Sequence, residues 1–210
     1  MAAERLVVVD YGAGNLRSAA KALEAAGAQT VTVSGDPDVV ASADRIVLPG
    51  VGAFAQCIGA LRGRSGLEAA LRTAVFDRGV PFLGICVGMQ LLATEGHEHG
   101  VHAGLGWLPG TVTRLTPADP NLKIPHMGWN TLNIRMPKCP LFHGLPPDSA
   151  FYFVHGYYAV PTDAGSTSAE ADYPGPFCAA LWRDNVFATQ FHPEKSQAVG
   201  QLLLRNFAGL

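Results

Sequence analysis

The sequence predicts an α/β fold with a mixed, mainly parallel central sheet flanked by helices. Three observations point there. Short β-branched runs alternate with helical patterns through the first half, the mark of β-α-β units and a parallel sheet. Strand candidates in the second half lie too close together for each connection to hold a helix, so several must pair antiparallel. Hydrophobic residues make up 48% of the 210 and charged ones only 15%, against about 25% charged in an average soluble domain, enough apolar content for one sizeable core. With no internal repeat and no long polar linker, residues 1–210 read as a single domain.

Leu6 to Val9 reads as a buried strand, Asn15 to Ala26 as a helix closed by Gly27, and Thr30 to Val33 as a second strand. Arg45 to Leu48 and Val80 to Ile85 are further buried strands. Ala53 to Arg78 holds one or two helices, and Val87 to Thr94 another. Strands follow at Gly110 to Leu115, Trp129 to Ile134, Ala150 to Val154, Cys178 to Trp182 and Val186 to Gln190, with Asp184-Asn185 suited to a hairpin turn. Asp163 to Pro176, rich in Gly, Ser, Ala and Pro, reads as an exposed loop. Ser196 to Phe207 closes the chain as an amphipathic helix.

The charges exclude several functions. Fifteen Lys and Arg against 17 Asp and Glu give a net charge of -2, and no basic stripe offers itself to nucleic acid. No apolar run approaches the roughly 20 residues that span a bilayer. The N-terminus enters a strand with no apolar leader, so the chain is expected in the cytoplasm. Cys57, Cys86, Cys139 and Cys178 lie far apart with no Cys-x-x-Cys pair, which argues against disulfides and thiol metal sites.

Chemistry concentrates at Gly84-Ile85-Cys86-Val87-Gly88, where an apolar strand runs into a helix. With cysteine in place of serine this is a nucleophile elbow, whose glycines let strand and helix approach closely and leave the central side chain exposed. Unpaired N–H groups at the helix start favour a thiolate there. An unpaired cysteine is more often a buried apolar residue, but a second motif stands beside it. His192-Pro193-Glu194 directly follows a strand, and in extended chain residues two apart point the same way. Cys86 then attacks a carbonyl carbon, His192 moves the proton and Glu194 holds the ring. The Val87 N–H is one candidate oxyanion donor, and Pro49-Gly50-Val51-Gly52, after a strand and before a helix, is the candidate source of a second.

Five segments together resemble the class I, triad-type glutamine amidotransferases of flavodoxin-like fold, and among them the glutaminase subunits of imidazole glycerol phosphate synthases. They are Asp10-Tyr11-Gly12-Ala13-Gly14-Asn15-Leu16, Leu48 to Phe54, Gly84 to Gln90, Ile124-Pro125-His126-Met127-Gly128-Trp129-Asn130 and Thr189 to Ser196. The resemblance implies glutamine hydrolysis through a γ-glutamyl thioester on Cys86, with no metal or cofactor. It also implies a (β/α)8-barrel cyclase subunit that receives the ammonia and converts the ribulosyl precursor PRFAR to imidazole glycerol phosphate and AICAR. Carried over by position, Gln90 meets the amino-acid end of glutamine, and Gly50, Gly52 and Tyr157 contribute substrate contacts. Val51 and Val87 line the oxyanion hole, the former through a peptide that reorients when the cyclase docks. Tyr11, Asn15, Trp129 and Lys195 take the interface positions. Gly156 stands where relatives usually carry serine, so a hydroxyl contact to glutamine is lost while backbone contacts remain.

Other readings use the same residues differently. Tyr11 and Trp129 also suit core aromatics, Asn15 a helix cap and Lys195 a solvated charge. His97, His99 and His102 lack the convergence that a metal site needs. The whole chain can also be read as the glutaminase of another synthase, such as one making anthranilate, as an elbow-cysteine hydrolase of another type, or as a non-catalytic regulatory domain of the same fold.

Overall fold

The computed structural model describes residues 4–119 and 121–210. Strand β1 (Arg5–Val9) leads through helix α1 (Leu16–Ala25) to β2 (Thr30–Ser34), and helix α2 (Pro37–Ala41) leads to β3 (Arg45–Gly50). Helices α3 (Phe54–Gly63) and α4 (Leu67–Arg72) connect to β4 (Phe82–Cys86), which runs directly into the single helical turn α5 (Val87–Gln90). Then come β5 (Glu95–Gly96), β6 (His102–Ala103), β7 (Gly110–Arg114), β8 (His126–Thr131), β9 (Asn133–Ile134) and β10 (Ala150–His155). The chain finishes with β11 (Tyr157–Pro161), β12 (Thr167–Asp172), β13 (Pro176–Arg183), β14 (Val186–Thr189) and helix α6 (Gln197–Ala208).

An eight-stranded sheet ordered β2-β1-β3-β4-β14-β13-β12-β9 organises these elements. Pairs from β2 to β14 are parallel, and pairs from β14 to β9 are antiparallel. Strands β3, β4 and β14 are buried along their whole length, as parallel strands covered on both faces must be. Helix α1 packs with α6, and α2 with α4. Two smaller sheets, β11-β7-β5-β6 and β10-β8, complete the molecule. The register sets up the site: Gly50 lies opposite Cys86 and Thr189 opposite Ile85, so β3, β4 and β14 end together at one edge.

Helix α1 forms where expected. It buries Ala19, Ala22 and Leu23 and ends with Ala28 N–H bonded to Leu23 O and Gly27 N–H to Glu24 O, a closure that needs Gly27 at φ +101. Helix α2 has no counterpart in the expected elements. Its signal was Asp36-Pro37: the Asp36 carboxylate accepts from the Asp38 N–H at 2.8 Å and Pro37 occupies the first turn.

Residues 53–78, expected as one or two helices, form two, α3 and α4, separated at Gly66 with φ +80. Three expected segments differ. The helix expected over 87–94 is one turn long, because the carbonyls of Leu91, Leu92 and Ala93 accept N–H groups from Leu105, Leu108 and Gly106. The strand expected over 129–134 starts at His126 and divides at Leu132 between two sheets. Part of the expected loop 163–176 is strand β12, with Ser168, Ala169 and Ala171 buried. The Asp184-Asn185 hairpin forms, closed by Arg183 opposite Val186.

The junction of β4 and α5 is closely packed. A Cβ at Gly88 would stand 1.8 Å from Leu48 O, and one at Gly84 would stand 2.7 Å from Gly88 O. Gly88→Ala therefore has to push α5 off β3, and overpacking of this kind costs about 1–3 kcal/mol or more. Gly59, exposed in α3 with nothing within 4 Å of its built Cβ, is the opposite case, where Ala gains about 0.4–1 kcal/mol. Urea unfolding midpoints are expected to fall for Gly88→Ala and to rise slightly for Gly59→Ala; equal midpoints would contradict the steric reading.

Candidate active site

Cys86 is the hinge of the elbow, with φ +55 and ψ -111. Such a backbone costs about 1–3 kcal/mol and persists only where its surroundings hold it. Here Gly50, Gly84 and Gly88 allow the packing that does so. The side chain is buried and faces a cleft of about 300 Å3 shared with Val51, Val87, Gln90, Glu98 and His192. One turn of helix carries little macrodipole, so the expected electrostatic aid reduces to the nearest backbone N–H groups.

His192 follows β14, the strand beside β4. Its Nδ1 lies 2.7 Å from Glu194 Oε1, and both side chains are almost wholly buried. The residues meet by a route other than extended chain: Pro193–Lys195 forms a 3-10 turn that folds the carboxylate back beneath the ring. Buried Ser196, to which the sequence assigned no role, holds that turn. Its Oγ donates to His192 O at 2.6 Å and accepts from Tyr152 N–H at 3.0 Å, while His192 N–H donates to Tyr152 O. The ring's Nε2 is buried without a hydrogen-bond partner. Burial opposes a charge on this ring, but the Cys86 sulfur and the Glu194 carboxylate outweigh it and push His192 up to about 9. The arrangement can carry an imidazolium beside a nucleophilic sulfur.

Gln90 is buried and donates to Tyr157 O at 3.0 Å and to Gln190 Oε1 at 3.1 Å. Both amide hydrogens are then committed, leaving its oxygen as the free polar atom beside the cleft. Glu98, another residue to which the sequence assigned no role, accepts from Phe54 N–H at 2.7 Å and contributes a carboxylate to the cleft wall. Gly52, Tyr157, Gly156 and Lys195 line the cleft as well. Gly50 does not: it is buried at the end of β3, where a Cβ would meet Gly88 N and the Tyr11 hydroxyl. Val51 is 43% exposed, and its carbonyl accepts from the Cys57 thiol at 3.4 Å.

The expected interface residues separate. Tyr11 is a core residue, 2% exposed, with its hydroxyl donating to Pro49 O, so it has no surface to offer. Asn15 is exposed at the start of α1 and makes no side-chain cap bond. Trp129, 50% exposed, packs edge-on against Tyr152, and Lys195 Nζ lies over the same ring at 5.7 Å. Cys57, Cys139 and Cys178 are unpaired and buried. Burial pushes the Cys139 thiol up to about 11 and the Cys178 thiol up to about 12. Among the described residues no group of three or more His, Cys, Asp or Glu side chains is placed to hold a metal ion, and no helix is long and apolar enough to cross a membrane.

The structure brings an elbow cysteine, a buried histidine and its carboxylate together at the ends of adjacent parallel strands of an α/β sheet. The model of the class-I glutamine amidotransferase family matches residues 7–209, and the chain belongs to that family. Solved structures share the fold. One is a glutamine amidotransferase with TM-score 0.73, 21% identity and coverage of 97% of this chain and 99% of that one. Another is PurLQS from Thermotoga maritima, with TM-score 0.76, 20% identity and 98% of each chain covered. Within the class, the chain is 52% identical to the imidazole glycerol phosphate synthase subunit HisH of Rhodospirillum rubrum, over 97% of both proteins. It is also 52% identical to that of Syntrophotalea carbinolica, over 98% of this chain and 100% of that protein. It is a member of the HisH family.

The His192–Glu194 pair has a pH signature. A histidine raised from 6.5 to about 9 stabilises the fold in full below about 6.5, and that contribution is lost as pH rises through about 9. Glu194→Gln removes one of the two groups that raise it. The difference in unfolding free energy between wild type and Glu194→Gln is therefore expected to shrink by on the order of 1–2 kcal/mol between pH 6.5 and 9.5. A difference constant across that range in urea titrations would show that Glu194 does not hold the proton on His192.

Proposed function

We propose that the chain is the glutaminase subunit of an imidazole glycerol phosphate synthase. It hydrolyses glutamine to glutamate and ammonia and passes the ammonia to a (β/α)8-barrel cyclase subunit, which converts PRFAR to imidazole glycerol phosphate and AICAR in histidine biosynthesis. The observation that carries the reading is the 2.7 Å His192–Glu194 bond beside the strained Cys86.

The steps follow from that geometry. The Cys86 sulfur attacks the carboxamide carbon of glutamine, and the resulting oxyanion is held by the N–H groups of Val87 and Val51. Protonated His192 gives its proton to the leaving nitrogen, ammonia departs and a γ-glutamyl thioester remains. Neutral His192 then takes a proton from water, whose oxygen attacks the thioester, and the proton returns as the thiolate leaves with glutamate released. Glu194 keeps the ring oriented throughout. Gln90, through its free oxygen, accepts from the substrate ammonium, and Gly52 and Tyr157 offer backbone contacts. No metal and no cofactor enter these steps.

The exposed side chains of Met127 and Trp129, with Lys195 and Asn15, form the docking face for the cyclase; Met127 is 62% exposed. Val51 is exposed and lines the cleft beside Cys86. Unpaired thiols suit the reducing cytoplasm as the place of action. The intact triad weighs against a regulatory domain, and the HisH relatives weigh against another synthase.

Two measurements test this. Cys86→Ala is expected to abolish glutamine-dependent synthesis by the complex while ammonium salts still support product formation; loss of both in an assembled complex would contradict the division of labour. Glutamine turnover by the chain alone is expected to be low. It should rise by about a hundredfold or more with the cyclase and its ligand, the worth of an oxyanion donor. Full turnover without the partner would refute control through Val51.

A further inference from the structure

Behind the cleft runs a connected chain of buried hydrogen bonds whose polarity follows from its fixed end. The Tyr157 carbonyl can only accept, so the Gln90 atom 3.0 Å from it is the amide nitrogen. The second hydrogen of that NH2 goes to Gln190 at 3.1 Å. Gln190 therefore turns its oxygen to Gln90 and its own NH2 to the Cys86 sulfur, 3.7 Å away. The other lone pair of the Tyr157 carbonyl is taken by His155 Nδ1 at 2.9 Å, and His155 Nε2 in turn accepts from His126 Nδ1 at 3.1 Å. With both lone pairs of the carbonyl used, none of these groups can reverse without leaving a buried polar atom unpaired.

We infer that Gln190 is a positioning residue for the nucleophile: its buried amide donates to the Cys86 sulfur, and the Tyr157 carbonyl, acting through Gln90, fixes that donor in place. The inference rests on the proposed role of Cys86. Gln190 is wholly buried, and its backbone N–H is bonded to Ala179 O at 2.8 Å, so the side chain leaves the end of β14 in one direction. An N–H donor favours the thiolate over the thiol, because hydrogen bonds to an ionised acceptor are roughly twice as strong as those between neutral groups. It also adds no charge beside His192. The titratable groups around the sulfur are His192 and Glu194 after β14, Tyr11 and Cys57 behind the β3 turn, and Glu98, His155, Tyr157 and Lys195 along the cleft. Among the described residues, the side-chain amide bonded to the sulfur is that of Gln190. A packing role alone asks only for volume at this position, which methionine supplies.

The test is the pH dependence of Cys86 alkylation by iodoacetamide in the full-length chain, read on the Cys86 peptide by mass spectrometry. In Gln190→Met the thiolate fraction at a given pH is expected to fall about tenfold, moving the pH of half-maximal rate upward by about one unit. Gln190→Glu, which keeps the shape but turns a carboxylate toward the sulfur, is expected to move it further. A folded Gln190→Met variant with the wild-type pH profile overturns the inference. Should Gln190→Met fail to fold, Gln190→Glu decides by the same criterion, a wild-type profile again overturning it. The readout uses no glutamine. A wild-type complex without glutaminase activity would count against the proposed function, whereas an active wild type with unchanged variant profiles would count against Gln190 alone.

Discussion

The site depends on one close approach, the seating of the first turn of α5 against the ends of β3 and β4. Hydrogen-bond register places Gly50 opposite Cys86, and Gly88 lies so near Leu48 O that no side chain fits between them. Cys86 then has to turn through a left-handed conformation within one residue. That strain is sustained because β3, β4 and β14 are buried along their length and cannot relax without opening the core. The sulfur therefore stands at a fixed place, and His192 reaches the same edge because β14 is the next strand in the sheet.

Three buried histidines near the cleft show how partners, more than burial, decide charge. Burial lowers His126 and His155 to about 4. At His155 the Tyr157 carbonyl favours a proton, but burial and the neighbouring His126 and His192 outweigh it. His192 suffers the same desolvation yet rises to about 9, because a carboxylate lies 2.7 Å from one nitrogen and the nucleophile adjoins the other. The raised His192 thus stands beside two histidines, His126 and His155, that burial keeps neutral. The stacking of His126 on Phe153 and Tyr173 keeps that ring in an aromatic setting suited to its neutral form.

Much of this was legible in the sequence because the strongest signals are local. A β-branched strand running into Gly-x-Cys-x-Gly marks both the element and the proposed nucleophile, and His192-Pro193-Glu194 places the buried His192–Glu194 pair within three adjacent residues. What the sequence hid depends on distant contacts. The helix after Cys86 stops early because N–H groups from residues 105–108 take its carbonyls. Strand β12 is written in Thr, Ser, Ala and Glu, which carry little apolar alternation, and its burial comes from β13 beside it. Tyr11 shares its sequence segment with exposed Asn15, and only the fold shows that its hydroxyl turns inward to Pro49. The roles of Ser196 and Gln190 were equally out of reach, since their partners lie 44 and 104 residues away.

The same geometry divides the cleft into a part fixed by the core and a part open to the surface. Cys86, His192 and the Glu194 carboxylate are buried, and their backbones belong to or directly follow central strands. Val51 lies between two glycines, one buried in β3 and the other at φ +107, and is itself 43% exposed. Tyr11 holds the carbonyl of Pro49 on one side, and Cys57 holds that of Val51 on the other. The peptide between Gly50 and Val51 is thus bracketed by two anchored carbonyls. A crankshaft turn of that one peptide alters which way the Val51 N–H points without moving the triad, and glycine at position 50 keeps the steric cost small. A turn of that peptide therefore needs only a local backbone change, whereas moving Cys86 or His192 would require disturbing the sheet itself.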